Sequence, residues 1–320
     1  MKKRLFVSLL IVALMLQTAA CGSLGAGNNL ESGSSIDSIE IKENASVSYL
    51  GPAGTYTEEA TKLFFSEKAI LMPEETVSDA IEKILTGNAD YAVIPQENTL
   101  GGAVVNYVDA LVKTEGVYVV GEVILPINQT LMGIPGATIE DIKTVCSHAQ
   151  GLTQSTEWRK EHLPDAETQE MASTAAAASF VAETGDKTIA AVAAPGAADL
   201  YGLSVLAENV QITDANKTRF YVLSTTELNG NQLTNAVLVA SCEANRIDDI
   251  IVKLHEAGLE FVAIHDRPEG SQLGKYNYII EVENSSGITE SHIKKIASLP
   301  EVRYLGRFNV IEKKGLGGRG

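Results

Sequence analysis

The chain reads YAVIPQEN over Tyr91–Asn98, where an apolar run with the character of a buried strand ends in a short polar patch. A segment with helical periodicity, Ala103–Val112, follows after a glycine-containing break. Strand, polar patch and helix recur in this order along the chain, which predicts an α/β fold. Open α/β sheets bind their ligands beyond the ends of strands, so the polar patches are candidates for a functional site.

Three further polar patches lie beside apolar, strand-like runs. They read YLGPAGTYTE from residue 49, SHAQGLTQ from residue 147 and NKTRF from residue 216. The long apolar run Tyr118–Ile127 is placed to cross between two groups of strands and helices. We therefore expect residues 46–226 to form two α/β lobes with a cleft between them, rather than one continuous sheet.

The pattern changes after a polar break at residues 225–233. Residues 234–312 alternate strand and helix signals in the order βαββαβ, which is typical of a ferredoxin-like unit. Residues 313–320 form a glycine-rich tail. A chain of 320 residues leaves room for this second unit beside a two-lobed domain.

The N-terminus has the pattern of a secretory signal over residues 1–21. Basic residues at Met1–Arg4 precede the apolar run Leu5–Leu16, which is short for a membrane span. Small residues directly before Cys21 are typical of lipoproteins, in which this cysteine is lipid-modified, and residues 22–45 form a flexible linker. We expect an exported protein, anchored by lipid to the outer face of the cell membrane or in the periplasm. The alternative is ordinary cleavage that leaves Cys21 as a free thiol.

Charge and motifs narrow the chemistry. With 25 basic and 41 acidic residues the net charge is −16, which disfavours nucleic acid as a partner and contact with anionic membrane faces. The sequence has no P-loop and no GxGxxG after a strand, and its histidines and cysteines do not cluster. We therefore expect no cofactor and no metal. Cys146 and Cys242 fall in apolar runs and are interpreted as buried thiols, with a disulfide left open.

The four patches in this order, followed by the ferredoxin-like unit, resemble the prephenate dehydratase family over residues 46–312. The resemblance implies a catalytic domain built like the two-lobed periplasmic binding proteins, followed by an ACT regulatory domain, in a homodimer. It implies a hydro-lyase that converts prephenate to phenylpyruvate, water and carbon dioxide in phenylalanine biosynthesis, without a cofactor.

The resemblance also implies a catalytic set. Thr218 matches the threonine of the family's Thr-Arg-Phe motif and is expected to carry or position the proton for the departing hydroxyl. Asn98, Ser147 and Gln154 match polar positions of the other patches. Most threonines at strand ends are structural, so the neighbouring motif residues decide this interpretation. His148 is the second choice for an acid or base.

Further residues are expected to bind substrate. Arg219 suits bidentate binding of a carboxylate, with an ion pair inside the protein as the alternative. The other expected substrate-binding residues are Glu97, Thr99, Thr55, Thr57, Ser173, Thr174 and Phe220. Simple helix capping is the alternative for the four hydroxyl residues at helix starts, and packing near the cleft is the alternative for Phe220.

Three positions depart from the family within the catalytic patches. Thr99 stands where the family has Ser, Ala149 where it has Pro, and Gln96 where it usually has Ile. The first change keeps a hydroxyl, and the second loosens a turn without removing polar groups.

The expected regulatory unit departs more strongly from the family. The effector motif Glu-Ser-Arg-Pro appears as HDRP over residues 265–268, so Asp266 and Arg267 are the candidate effector contacts. Asn245 and Arg246 replace the small Gly and Ala that let an amino acid approach the backbone. We expect phenylalanine to bind poorly, and a structural or dimerising role is the alternative.

Two other functions remain open at this stage. The same fold could hold an aromatic acid or amino acid as a solute-binding lipoprotein, or the enzyme could act on arogenate, which carries an amine in place of the keto group. A pure binding protein has no chemical reason to keep Thr218, Asn98, Ser147 and Gln154 together, so the enzyme is favoured.

Overall fold

The computed structural model describes residues 42–66, 68–230 and 232–313. The predicted signal, the lipidation site Cys21, most of the linker and nearly all of the tail lie outside the described residues. Those expectations stay predictions. No helix in the described part of the chain is long and apolar enough to cross a membrane.

The elements follow one another in a largely alternating order. The strands are β1 (Ser46–Leu50), β2 (Ile70–Glu74), β3 (Tyr91–Asn98), β4 (Gly102–Ala103), β5 (Tyr118–Pro126), β6 (Thr130–Gly133), β7 (Thr144–Ser147), β8 (Glu167–Glu170), β9 (Ile189–Ala193), β10 (Ser204–Ala207), β11 (Lys217–Ser224), β12 (Asn235–Glu243), β13 (Glu260–Pro268), β14 (Lys275–Glu283), β15 (Val302–Phe308) and β16 (Val310–Glu312). The α-helices are α1 (Tyr56–Phe65), α2 (Val77–Leu85), α3 (Val105–Lys113), α4 (Ala149–Gln154), α5 (Thr156–His162), α6 (Thr174–Thr184), α7 (Gly196–Tyr201), α8 (Ile247–Glu256) and α9 (Glu290–Ala297).

The first sheet forms the first lobe. Its order is β16-β5-β11-β3-β1-β2, with β4 paired to β3. Strand β1 runs parallel to β2 and β3, whereas β11 lies antiparallel between β3 and β5. The strand β11 comes from a distant part of the sequence, and its insertion places the NKTRF patch directly beside the end of β3.

The second lobe is built on a five-stranded sheet of order β10-β6-β9-β7-β8. Two chain segments, residues 127–129 and 208–216, connect it to the first lobe. The segments run side by side, because Ile127 N donates to Asn216 O and Val210 N donates to Gln129 O, both at 2.9 Å. The predicted two-lobed α/β architecture is confirmed.

The third sheet is antiparallel, with order β13-β14-β12-β15, and α8 and α9 complete the predicted βαββαβ order. It shares a core with the first lobe: Val239 and Ile279 from the third sheet cluster with Leu223 of β11. Gly306 on β15 has φ +127°, and a side chain there would overlap the backbone oxygen of Val119 on β5. This close approach requires glycine.

Several elements differ from expectation. The run Tyr118–Ile127 is mostly strand β5 of the first sheet, and only its end begins the crossing between lobes. The pattern of residues 152–161 predicts one helix, but the structure has two helices that meet at Ser155. The pattern of residues 302–311 predicts one continuous strand, but its end belongs to β16, which joins the first sheet parallel to β5. Strand β8 reads ETQE and is exposed throughout, so it has no alternation from which to predict it.

Arg219 on β11 ties the first sheet to the third. Its Nε donates to Glu122 on β5, and its Nη2 donates to both carboxylate oxygens of Glu281 on β14, at 2.6 and 2.7 Å. The Arg219 side chain is 18% exposed and the two glutamates at most 2%. Removal of one partner from such a buried network leaves an uncompensated charge, which is strongly destabilising.

The carboxyl group of Glu122 has a raised pKa. Burial and the neighbouring charge of Glu281 raise the pKa of Glu122 to about 7, although Arg219 acts in the opposite direction. In the unfolded chain the carboxyl has its ordinary pKa of 4.5. The folded protein therefore holds a proton that the unfolded chain releases between these values. The resulting contribution to stability is fully present below about pH 4.5 and is lost as the pH rises through about 7.

We expect Glu122→Gln to remove this pH dependence, because an amide is neutral at every pH and its oxygen still accepts from Arg219 Nε. Urea denaturation from about pH 5 to about pH 8 measures it. The free energy of unfolding of the unmodified protein should fall relative to that of the variant as the pH rises. The steepest slope is about 1.4 kcal/mol per pH unit, the value for one proton.

Glu157→Gln is the matched control, since Glu157 lies on α5 with its side chain 61% exposed. Its profile should follow that of the unmodified protein. Parallel profiles for Glu122→Gln and the unmodified protein would contradict the raised pKa of Glu122.

Candidate active site

Thr218 and Asn98 face each other across two antiparallel strands. They are direct partners in the register of β11 and β3, and Asn98 Nδ2 donates to Thr218 Oγ1 at 2.9 Å. Directly opposite residues of an antiparallel pair place their side chains on the same face of the sheet. Thr218 is 9% exposed, and Asn98 is half-buried. The structure thus brings together two of the four predicted catalytic residues.

The orientation of the Asn98 amide follows from its surroundings. Its Oδ1 accepts from the backbone N–H groups of Leu100 and Gly101, both at 3.0 Å. Backbone N–H groups can only donate, so the atom that faces Thr218 must be the nitrogen. The same nitrogen donates to Asn216 Oδ1 at 2.8 Å. Thr218 Oγ1 therefore acts as an acceptor towards Asn98, and its own O–H proton is available to another partner.

One polar contact links this pair to the second lobe. Gln150 on α4 donates through Nε2 to Asn98 Oδ1 at 3.1 Å. Thr99, one of the expected substrate-binding residues, is exposed and instead exchanges hydrogen bonds with the Lys217 backbone: its Oγ1 donates to Lys217 O and accepts from Lys217 N, both at 3.1 Å. Thr99 thereby fixes the start of β11.

The other two predicted catalytic residues lie in the second lobe. Ser147 ends β7, is fully buried and donates to Val192 O at 2.6 Å. Gln154, on the last turn of α4, accepts from Gln129 Nε2 at 2.8 Å, and both are nearly fully buried. A side chain at Gly151 would overlap the Ser147 hydroxyl, so glycine lets α4 pack directly on β7. Gln150 is the contact that connects α4 to the Thr218 pair.

Two of the four hydroxyl residues at helix starts cap their helices, and the other two lie in the first turn. Thr55 accepts from Glu58 N at 3.4 Å at the start of α1, and Ser173 accepts from Ala176 N at 2.9 Å at the start of α6. Both therefore cap helices, the alternative that the sequence left open. Thr57 is buried in the first turn of α1, and the Thr174 methyl lies beside Gly151.

The expected substrate-binding roles of Arg219, Glu97 and Phe220 do not fit their contacts. Neighbouring residues of a strand point to opposite faces, so Arg219 and its register partner Glu97 turn away from the Thr218 face. Arg219 forms ion pairs with Glu122 and Glu281, and its Nη1 lies 3.5 Å from Glu97 Oε2. These contacts correspond to the ion pair inside the protein that the sequence offered as the alternative role of Arg219. Phe220 is 1% exposed within the first-lobe core.

The remaining candidates occupy peripheral positions. His148 is exposed and caps α4 by accepting from Gln150 N at 3.3 Å. Arg267 donates to both carboxylate oxygens of Asp109 on α3, at 2.9 and 3.2 Å, and Asp266 is exposed beside it. In the described ranges, no group of three or more His, Cys, Asp or Glu side chains is placed to hold a metal ion.

Sequence reasoning did not single out three polar residues of this region. Gln150 and Asn216 lie inside the quoted patches, and their positions there were the available signal. Gln129 lies between two apolar runs, so its polarity alone could have marked it. The contacts of all three depend on chain segments that meet only in the folded protein.

Comparison with known proteins agrees with this geometry. The family model for prephenate dehydratase matches residues 47–228. The bifunctional chorismate mutase/prephenate dehydratase of Neisseria gonorrhoeae is 34% identical over 247 residues, covering 77% of this chain and 68% of that protein. The prephenate dehydratase of Amycolatopsis methanolica is 32% identical over 272 residues, covering 82% of this chain and 88% of that protein.

A solved structure matches over a similar extent. The prephenate dehydratase of Arthrobacter aurescens in complex with L-Phe is 28% identical, with a TM-score of 0.73 over 82% of this chain and 89% of that chain. The family model covers more than half of the chain, and the matched residues include both strands that carry Thr218 and Asn98. The chain belongs to the prephenate dehydratase family of hydro-lyases.

Proposed function

We propose that Thr218 is the proton donor in the decarboxylating dehydration of prephenate to phenylpyruvate by this chain. The hydrogen bond from Asn98 Nδ2 to Thr218 Oγ1, at 2.9 Å, supports this proposal most directly. This bond occupies an acceptor position of the hydroxyl and leaves its proton for the substrate.

The reaction consumes one proton, which Thr218 donates and regains from solvent before the next turnover. The bond from the ring carbon to the hydroxyl oxygen breaks, and that oxygen leaves as water after it takes the proton from Thr218. The bond to the ring carboxylate breaks as well, carbon dioxide leaves, and its electron pair completes the aromatic ring. An isolated threonine is a weak acid, so the Asn98 N–H matters twice: it orients Oγ1 and stabilises the negative charge that develops there.

The second lobe supplies the other side of the site in this proposal. Ser147 and Thr174 lie beside Gly151 of α4, Gln154 ends the same helix, and Gln150 Nε2 donates to Asn98 Oδ1 at 3.1 Å. Their hydroxyl and amide groups suit the orientation of a dicarboxylate substrate. Arg219 does not contact the substrate in this proposal; it stabilises the position of β11, the strand on which Thr218 lies. Arogenate remains the alternative substrate, because the same elimination applies to it.

Thr218→Ala is expected to lower kcat by at least about 100-fold, the usual contribution of a positioned acid. The melting temperature should change little, because the hydroxyl makes one hydrogen bond, to Asn98, near the start of β11. Phenylpyruvate formation from prephenate, followed by its absorbance in alkali, measures the turnover, and arogenate is assayed in parallel.

Thr218→Ser is the matched control, since it keeps the hydroxyl and should retain most of the turnover. Near-normal turnover by Thr218→Ala would remove Thr218 from the mechanism. If the unmodified protein bound prephenate, as seen by a raised melting temperature, but did not turn it over, the solute-binding alternative would be favoured.

The proposed location rests on the N-terminal sequence alone. We expect the chain to be exported and held at the membrane by lipid on Cys21. Cys21→Ser should move the protein from the membrane fraction to the soluble fraction, which immunoblotting of fractionated cells detects. Cys242→Ser, a change at a buried thiol, serves as the control and should stay with the membranes. Unchanged fractionation of Cys21→Ser would argue against the lipid anchor.

The third sheet and its helices are proposed to be an ACT-like unit with weak regulation by phenylalanine, in a homodimer. The guanidinium of Arg267 is already bound by Asp109, and the bulky Asn245 and Arg246 precede α8. Phenylalanine should therefore inhibit turnover of prephenate poorly. Titration of the amino acid into the assay measures this, with tyrosine as the control, and strong inhibition at low concentration would show that these changes are tolerated.

A further inference from the structure

Asn216 is the last residue before β11 and lies on one of the two segments that connect the lobes. Its side chain is 1% exposed. Its backbone oxygen accepts from Ile127 N of the other connecting segment at 2.9 Å. The residue therefore sits where the two lobes join, two positions before Thr218 in the chain.

The orientation of the Asn216 amide is determined through Asn98. Because Asn98 Oδ1 accepts two backbone N–H groups, Asn98 presents its nitrogen to Asn216. Asn216 must then present its oxygen, which accepts at 2.8 Å. The nitrogen of Asn216 is the atom that points elsewhere.

This nitrogen is buried and has no hydrogen-bond partner among the described residues. A buried donor without a partner costs about 1–3 kcal/mol, and such groups in folded proteins call for a specific explanation. The cost is understandable if the partner arrives with the substrate.

Asn216 and Thr218 lie close together in space. Asn216 Oδ1 and Thr218 Oγ1 both accept from the single nitrogen of Asn98, at 2.8 and 2.9 Å, so they are within a few ångströms of each other. Any substrate atom that reaches the Thr218 hydroxyl is therefore near the Asn216 amide. The charged Arg219 is turned to the other face and bound by carboxylates, so it does not compete for this atom.

We propose that Asn216 Nδ2 is a further catalytic group, which donates a hydrogen bond to the departing hydroxyl oxygen of the substrate. This inference rests on the proposed role of Thr218. The departing oxygen has two lone pairs: one receives the proton from Thr218, and the other accepts from Asn216. As the carbon–oxygen bond breaks, negative charge grows on that oxygen, and a preorganised donor stabilises it. The Oδ1 atom of the same amide holds Asn98 in place.

Asn216→Asp distinguishes the acceptor role of the amide oxygen from the donor role of the amide nitrogen. A carboxylate still accepts from Asn98 but offers no donor to the substrate. We expect kcat at alkaline pH to fall by about 100-fold or more, the typical loss for one donor of this kind, with a much smaller change in KM. Burial raises the pKa of an introduced carboxyl group, and its protonated form donates through O–H. Turnover by Asn216→Asp, taken relative to that of the unmodified protein at each pH, should therefore recover as the pH falls.

The test uses the full chain with prephenate, and kcat and KM are measured across the pH range. Asn216→Ala removes the amide and offers no donor at any pH, so it should lose kcat across the whole range; near-normal turnover by this variant would overturn the proposal even if Asn216→Asp does not fold. Asn128→Asp puts the same charge on the other connecting segment and should leave the pH profile unchanged.

Three results would overturn the proposal. They are turnover within about threefold of normal in Asn216→Asp or Asn216→Ala, loss in Asn216→Asp without recovery at low pH, and an equal loss with the same pH limb in Asn128→Asp. Absence of turnover in the unmodified protein would instead overturn the proposed function, and this inference with it.

Discussion

The guanidinium group of Arg219 is the interaction on which the rest of the architecture depends. It binds Glu122 on β5 and Glu281 on β14, and so fastens the third sheet to the strand that carries Thr218. Such charge-assisted, bidentate contacts are stronger and more directional than neutral hydrogen bonds. Because the two glutamates are almost fully buried, their charges depend on Arg219 for compensation, and the third sheet is an integral part of the molecule rather than a loosely tethered unit.

The alternation of side chains along a strand gives the NKTRF patch two functions. Thr218 points to the Asn98 face, where the substrate is proposed to bind, and Arg219 points to the third sheet. The residue that contacts the third sheet and the proposed proton donor are therefore neighbours on one strand.

Two departures from the family pattern fall at this same interface. Gln96 Nε2 donates to the Tyr221 hydroxyl at 2.7 Å and lies 3.4 Å from Glu281 Oε2. His265 Nδ1 contacts the Tyr107 hydroxyl, and its Nε2 lies 3.6 Å from Glu97. Positions 96 and 265 are far apart in sequence, but both place a polar group between the first and third sheets. These departures therefore concern how the two sheets are joined, and not the Thr218 face.

The sequence by itself determined the local structure and the kind of protein. The amphipathic pattern of residues 77–85 and the glycine at position 87 predict α2 with the bounds that the structure shows, and the order of strands, patches and helices predicts the two lobes and the βαββαβ unit. Only the tertiary structure decided which patch residues face each other. Thr218 contacts Asn98 because β11 lies beside β3 in the sheet. Arg219 binds Glu281, which lies 62 residues further along the chain. Local sequence patterns report propensity and burial, whereas the partner of a charged or amide side chain is set by strand pairing between distant segments, which no local pattern contains.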